Sequence, residues 1–186
     1  LWCQTMSNLR LINETTVTSG VTSVSATDVF NSDFDIYKIT LEGFYASTID
    51  YFYLRLINSN GNVVVYNSAF AGLYDNASLE MRTSGTYNER KGTNFTGMFS
   101  STSFLPNSEA ENYNGVFYFF NPNSSSSYSF MIGQSSEAEY SAMYSYKYIG
   151  VLKQTNSITG FQLSVGTLGG TLSGGKIRTY GLRVDS

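Results

Sequence analysis

The last thirty residues, SITGFQLSVGTLGGTLSGGKIRTYGLRVDS (residues 157–186), do most to limit what this chain can fold into. Phe161, Leu163 and Val165 alternate with Gln162 and Ser164, so an extended strand here has one apolar and one polar face. Ile177, Thr179 and Gly181 alternate with Arg178, Tyr180 and Leu182 in the same way. Gly, Ser and Thr dominate the residues between, 166–175, and glycines allow tight bends there. The pattern predicts a closing β-hairpin with a long connection, its last strand (176–182) paired inside a sheet. The upstream chain must then supply the sheets that it completes.

The upstream chain carries the same period. Strands are predicted over residues 9–18, 21–26 and 36–45. In the third, Tyr37, Ile39, Leu41 and Gly43 face one way and Lys38, Thr40 and Glu42 the other. Residues 51–58 alternate again, with Phe52, Leu54 and Leu56 on one side. Asn58-Ser59-Asn60-Gly61-Asn62 follows, and Asn-Gly between alternating runs predicts a hairpin with 63–66 as its return strand. Residues 68–97 lack a clear period and read as long surface loops, with one short strand at 78–82. Further strands are predicted at 98–105, 115–120, 128–133 and 143–152. Residues 137–140 read as a connection. GVFYFF (115–120) is apolar on both faces, which predicts a central strand covered on both sides or by a neighbouring subunit. Ten to twelve short strands with no amphipathic helix between them point to an all-β fold, an antiparallel β-sandwich that is jelly-roll-like.

Composition agrees and narrows the chemistry. The 186 residues include 15 Tyr and 13 Phe, and only 13% are charged, so the polar surface is built from Asn, Ser, Thr and Gly. The net charge is −3 with no run of Lys or Arg, which disfavours binding to nucleic-acid phosphates. No apolar run reaches the roughly 18 residues of a membrane-spanning helix, so no membrane insertion is expected. A single Cys3 forms no disulfide within the chain. No histidine is present, which removes the commonest general base and neutral metal ligand. The chain opens on Leu-Trp-Cys, as expected of a processed product or a segment of a longer one.

The remaining candidates are few. Carboxylate pairs occur at Asp33/Asp35, Glu109/Glu111 and Glu137/Glu139, and two carboxylates at the right separation hydrolyse glycosides. Their ordinary reading is as exposed loop acids. Asp28, Asp33 and Asp35 supply oxygens of the type Ca²⁺ takes, but they lack the spacing of a binding loop and read as turn caps. No metal, cofactor or catalytic residue is therefore expected. The tyrosines stand out: Tyr140, Tyr144, Tyr146 and Tyr148 crowd one region, and Tyr45, Tyr51 and Tyr53 another. Alternating tyrosines put rings on one face of a strand. Three readings remain open for Tyr140, Tyr144, Tyr146 and Tyr148: a subunit interface, a glycan-stacking surface, or aromatic pairing within one sheet.

Two stretches carry a resemblance. SVSATDVFNSDFDIYKITLEG, with its Asp-aromatic turn before Tyr37-Lys38-Ile39, and the ending ITGFQLSVGTLGGTLSGGKIRTYGLRV, with its Gly-Gly-x-Ile-Arg-x-Tyr-Gly at 174–181, resemble the C-terminal β-sandwich of tailed-phage virion surface proteins. These are tail fibres, head fibres and capsid decoration proteins, especially of phages infecting marine bacteria and cyanobacteria. The two stretches cover about a quarter of the chain. They are strand-and-turn patterns, so no functional residue comes with them. The resemblance implies a non-enzymatic virion structural protein, exposed on the particle and acting through protein–protein assembly. The implied partners are other virion proteins and copies of itself, with a trimer expected by analogy. The alternative is a module that binds a host receptor or host surface glycan. Residues 1–20 are expected to be an N-terminal segment docking to a partner, and 21–186 the β-sandwich domain.

Overall fold

The computed structural model describes residues 8–65, 74–99, 104–139, 142–166 and 168–183. Twelve strands appear among them: β1 (Leu9–Thr16), β2 (Ser23–Ala26), β3 (Ile36–Ala46), β4 (Asp50–Asn58), β5 (Tyr74–Arg82), β6 (Tyr87–Phe95), β7 (Phe104–Leu105), β8 (Tyr113–Phe120), β9 (Ser129–Glu139), β10 (Ala142–Leu152), β11 (Ile158–Val165) and β12 (Leu172–Leu182). They form two antiparallel sheets. The large one has the order β1-β12-β3-β8-β9-β10-β5-β6 and the small one β2-β11-β4-β7.

The pairs β1·β12, β2·β11, β3·β8 and β4·β7 are those of one long hairpin rolled up on itself, which is a jelly roll. Two hairpins are added to it. β5–β6 interrupts the turn at the tip of the roll, between β4 and β7. β9–β10 lies between β8 and β11. The added hairpins pair with each other, Tyr144–Leu152 of β10 against Arg82–Tyr74 of β5, and widen the large sheet from four strands to eight. The described part of the N-terminal segment, β1, is the edge strand of the large sheet.

The two sheets enclose an aromatic core. Phe44 of β3 meets Phe52 of β4 at 5.6 Å between ring centroids, and Phe52 meets Tyr113 of β8 edge-on at 5.2 Å. Phe99 stacks on Phe117 at 5.1 Å, and Phe30 joins Phe161 and Tyr37 at the other end. All these rings are buried. Aromatics contribute large apolar area per residue and gain further from such offset and edge contacts.

Several sequence expectations change. The closing segment is not a hairpin: β11 lies in the small sheet between β2 and β4, and β12 in the large sheet between β1 and β3. Its glycine-rich connection carries the chain from one sheet to the other. Residues 176–182 do pair inside a sheet, as predicted. Residues 74–95 are not loops but the β5–β6 hairpin, turned at Gly85 with φ +81°. The Asn58–Gly61 turn forms, yet Val63 makes only a single bridge to Ile57 in place of a return strand. Of the strand predicted at 98–105, the described residues keep Phe104–Leu105 and a bridge from Phe99 to Leu54. Residues 137–139, read as a connection, extend β9.

In β3 the alternation shifts at Gly43, whose φ is +68° and where the register slips against β8. The inward residues are Tyr37, Ile39 and Leu41 before the slip, then Phe44 and Ala46 after it. β8 is central in its sheet, with Phe117 and Phe119 in the core. Its other face, bearing Val116, Tyr118 and Phe120, is only half-buried.

Candidate functional site

Tyr140 lies outside the described residues. Tyr144, Tyr146 and Tyr148 are successive inward positions of β10 and form a ladder of near-parallel rings, 6.5 Å and 5.7 Å between centroids, tilted by 8° and 15°. Tyr146 and Tyr148 are buried and Tyr144 half-buried, so the ladder faces the interior of the sandwich rather than the medium. Phe99 packs on Tyr148 at 5.3 Å. Three rings on one strand alternating with Met143, Ser145 and Lys147 were legible from sequence; which face was inward was not.

The ladder is flanked by two buried acids that its strand neighbours supply. Glu80 of β5 lies opposite Tyr146, and Glu137 of β9 opposite Tyr144. The Glu80 carboxylate accepts hydrogen bonds from Arg82 Nε and from Asn88 Nδ2, the latter at 3.0 Å. The Arg82 guanidinium lies 5.0 Å from the Tyr144 ring centroid, a cation–π contact. The Tyr148 hydroxyl is 3.1 Å from Ser135 Oγ. Burial pushes the Tyr146 phenol far above its ordinary value, helped by the nearby Glu137 carboxylate; burial does the same at Tyr113. Buried charges need paired, hydrogen-bonded surroundings, and this cluster provides them for Glu80.

The sequence pairs of acids are not brought together as a site. Glu109 and Glu111 sit in one short 3₁₀ turn, and the Asp33 backbone N–H donates to Asn31 Oδ1. Glu80 and Glu137, which no sequence spacing linked, are the acids that share a neighbourhood. The signal for it was parity alone: Glu137 is in phase with the inward Ser135, and Glu80 with Ser78. Among the described residues no group of three or more His, Cys, Asp or Glu is placed to hold a metal ion.

The second tyrosine group is split: Tyr45 lies on β3 of the large sheet, Tyr51 and Tyr53 on β4 of the small one. Tyr51 packs on Phe104 at 4.7 Å and on Tyr53 at 6.4 Å, and the Arg55 guanidinium covers the Tyr53 ring at 4.6 Å. These rings are half-buried and serve each other.

The outward face of the large sheet is more open. Strand pairing sets its side chains in rows across the sheet. One row runs Lys38, Tyr118, Ile132, Ile149, Ala77, Lys91, and the next Phe120, Phe130, Val151, Asp75. Ile149 is 64% exposed, Ile132 47% and Phe130 44%. Beyond them the rows turn polar: Val116, Gln134, Lys147 and Leu79, then Asn114, Ser136, Ser145 and Met81. These polar rows line a shallow groove of about 630 Å³ that reaches Thr40, Arg178 and Tyr180. Arg178 is held there between Glu14 and Glu42.

Comparison with known proteins adds little. No family model matches the chain. No curated protein matches it either. A chain in the structure of infectious bursal disease virus, Gx strain, aligns at 10% identity with a TM-score of 0.15, over 91% of this chain and 40% of that one. At that score the likeness supports neither a shared fold nor a shared role, and the chain spans less than half the length of that protein.

Proposed function

We propose that this chain is a non-enzymatic structural protein of a bacteriophage virion, exposed on the particle surface as a fibre domain or capsid decoration, and that it acts through protein–protein assembly with other virion proteins and with copies of itself. The observation that carries the assembly reading is the run of exposed apolar side chains across β8, β9 and β10. Phe130, Ile132 and Ile149 adjoin Tyr118, Phe120 and Val151 on a face that no described residue covers. Isolated apolar side chains on a surface are ordinary, but a contiguous patch marks an interaction site. The virion setting rests on the two motifs at 23–43 and 158–184 and on the surface rich in neutral polar residues. The test is to look for the chain by mass spectrometry in purified particles of the phage that encodes it and to locate its density on them. Absence from purified particles would show the virion role to be wrong.

A carbohydrate-binding module is the alternative, and one feature favours it. In the polar groove the side chains of Gln134, Ser136, Ser145 and Lys147 make no hydrogen bond among the described residues, leaving their donors and acceptors for a hydroxylated ligand. Screening the intact chain against an array of bacterial surface glycans separates the readings. Saturable binding that Gln134→Leu abolishes would favour the module over assembly.

A further inference from the structure

We propose that two copies of this chain pack face to face through the outward side of the large sheet, with a two-fold axis parallel to the strands and running between β9 and β10. This deepens the assembly reading and rests on it.

The size of the face fits. From β3 to β6 it presents six strands and four rows of side chains. With strands about 4.8 Å apart and same-face residues about 6.8 Å apart, the area is roughly 700–800 Å². A stable interface removes about 800 Å² from each partner. Two sheets stacked in this way have side chains that interdigitate at a spacing of about 10 Å.

The charge on the face fits a copy of the chain itself. Lys38, Lys91 and Lys147 stand against Glu42, Asp75 and Glu89, three against three, so the face is neutral. All three acids are already paired, Glu89 with Lys91 at 2.8 Å, Asp75 with Lys153 at 2.8 Å and Glu42 with Arg178. A strongly acidic or basic partner would find no complement here; a second copy meets like charge only at the rim, where Lys38 comes opposite Lys91, which is already paired with Glu89.

The placement of the apolar side chains then selects the axis. A two-fold between β9 and β10 sets each row against itself with the strand order reversed. Ile149 of one copy faces Ile132 of the other, and Val151 faces Phe130. Tyr118 faces Ala77. In the next row Lys147 faces Gln134, whose amide oxygen can accept from the ammonium. The contact is isologous: each pair occurs twice, and the assembly closes at two copies. It also covers the second apolar face of the Gly115–Phe120 segment.

Sedimentation of the full chain over a range of concentrations tests this, together with three variants. Ile149→Glu buries a carboxylate against the partner's Ile132 and abolishes the dimer. Gln134 is exposed, so replacing it spares the fold. Gln134→Lys, facing the partner's Lys147, weakens the dimer by roughly tenfold, and Gln134→Glu tightens it. A wild-type chain that stays monomeric at every concentration, a trimer, or a dimer indifferent to both Gln134 variants would each overturn the proposal. A chain found on particles but monomeric in solution removes the dimer and leaves the assembly role. A dimer absent from particles removes the virion role and leaves the dimer.

Discussion

Asp50 and Gly170 are 120 residues apart and joined by a buried hydrogen bond: the Gly170 N–H donates to Asp50 Oδ2 at 3.0 Å. The other carboxylate oxygen accepts from the backbone N–H of Tyr51 at 2.7 Å and of Leu168 at 3.3 Å. Asp50 is fully buried at the start of β4, and the connection between β11 and β12 folds around it. A side chain at Gly166 would stand 2.7 Å from Asp50 Oδ1, so the glycine there makes room for the carboxylate. The Gly/Ser/Thr connection is therefore a wrapped anion with backbone donors, and it is what lets the chain cross between sheets.

Replacing Asp50 with Ala is expected to destabilise the fold by about 2–3 kcal/mol, because three N–H donors lose a charged acceptor. For a chain of this length each kcal/mol lowers the melting temperature by roughly 2–4 °C. Thermal unfolding followed by circular dichroism measures the loss. A change of under about 0.5 kcal/mol, the range of ordinary surface substitutions, would show that water replaces the carboxylate.

Gly160→Ala is expected to cost about 2–3 kcal/mol. The added Cβ would lie 2.3 Å from the Ala26 carbonyl oxygen, which is backbone of the paired strand β2 and cannot rotate away. Gly133→Ala would also collide, at 2.2 Å from a Phe117 ring carbon, but a ring can shift. Urea unfolding of both variants should rank Gly160→Ala as the more damaging.

Glu80 and Arg82 predict an asymmetry. The Glu80 side chain is 3% exposed and that of Arg82 37%. Removing Arg82 leaves a buried carboxylate with only the Asn88 amide, whereas removing Glu80 leaves a guanidinium that reaches water. Arg82→Met should therefore cost about 2–3 kcal/mol and Glu80→Gln only about 1 kcal/mol. The exposed Glu89–Lys91 pair, screened by water, should contribute little. Equal losses for Arg82→Met and Glu80→Gln in equilibrium unfolding would contradict this account.

Alkaline pH should unfold the protein cooperatively. Burial raises the phenols of Tyr74, Tyr113 and Tyr146 above their ordinary value, so the folded state keeps protons that the unfolded chain releases. Stability from these groups is complete below about pH 10, where unfolded tyrosines begin to ionise, and falls as pH rises further. Each such tyrosine contributes a slope of about 1.4 kcal/mol per pH unit above that point. The phenolate absorbance of these buried tyrosines should rise in one steep step coincident with the loss of β-sheet signal. Gradual ionisation of these tyrosines in the folded protein would contradict it.

Much of the local structure was present in the sequence alone. Period-2 alternation located β3, β4, β10, β11 and β12, because side chains on a strand alternate regardless of what the strand pairs with. The two-faced Gly115–Phe120 run announced a central strand. The β5–β6 hairpin was hidden because its inward face carries Ser78, Glu80, Asn88 and Arg90 in place of apolar residues, so the hydrophobic period vanishes. It was the tertiary structure that decided partners. Whether β11 turns back on β12 or leaves for the other sheet depends on how Asp50, more than a hundred residues earlier, organises the connection. The meeting of Glu80 and Glu137 about the tyrosine ladder likewise depends on β10 lying between β5 and β9. Alternation is a property of one strand; pairing is chosen among all strands at once, by which arrangement buries the aromatic core and gives buried acids such as Asp50 and Glu80 their donors.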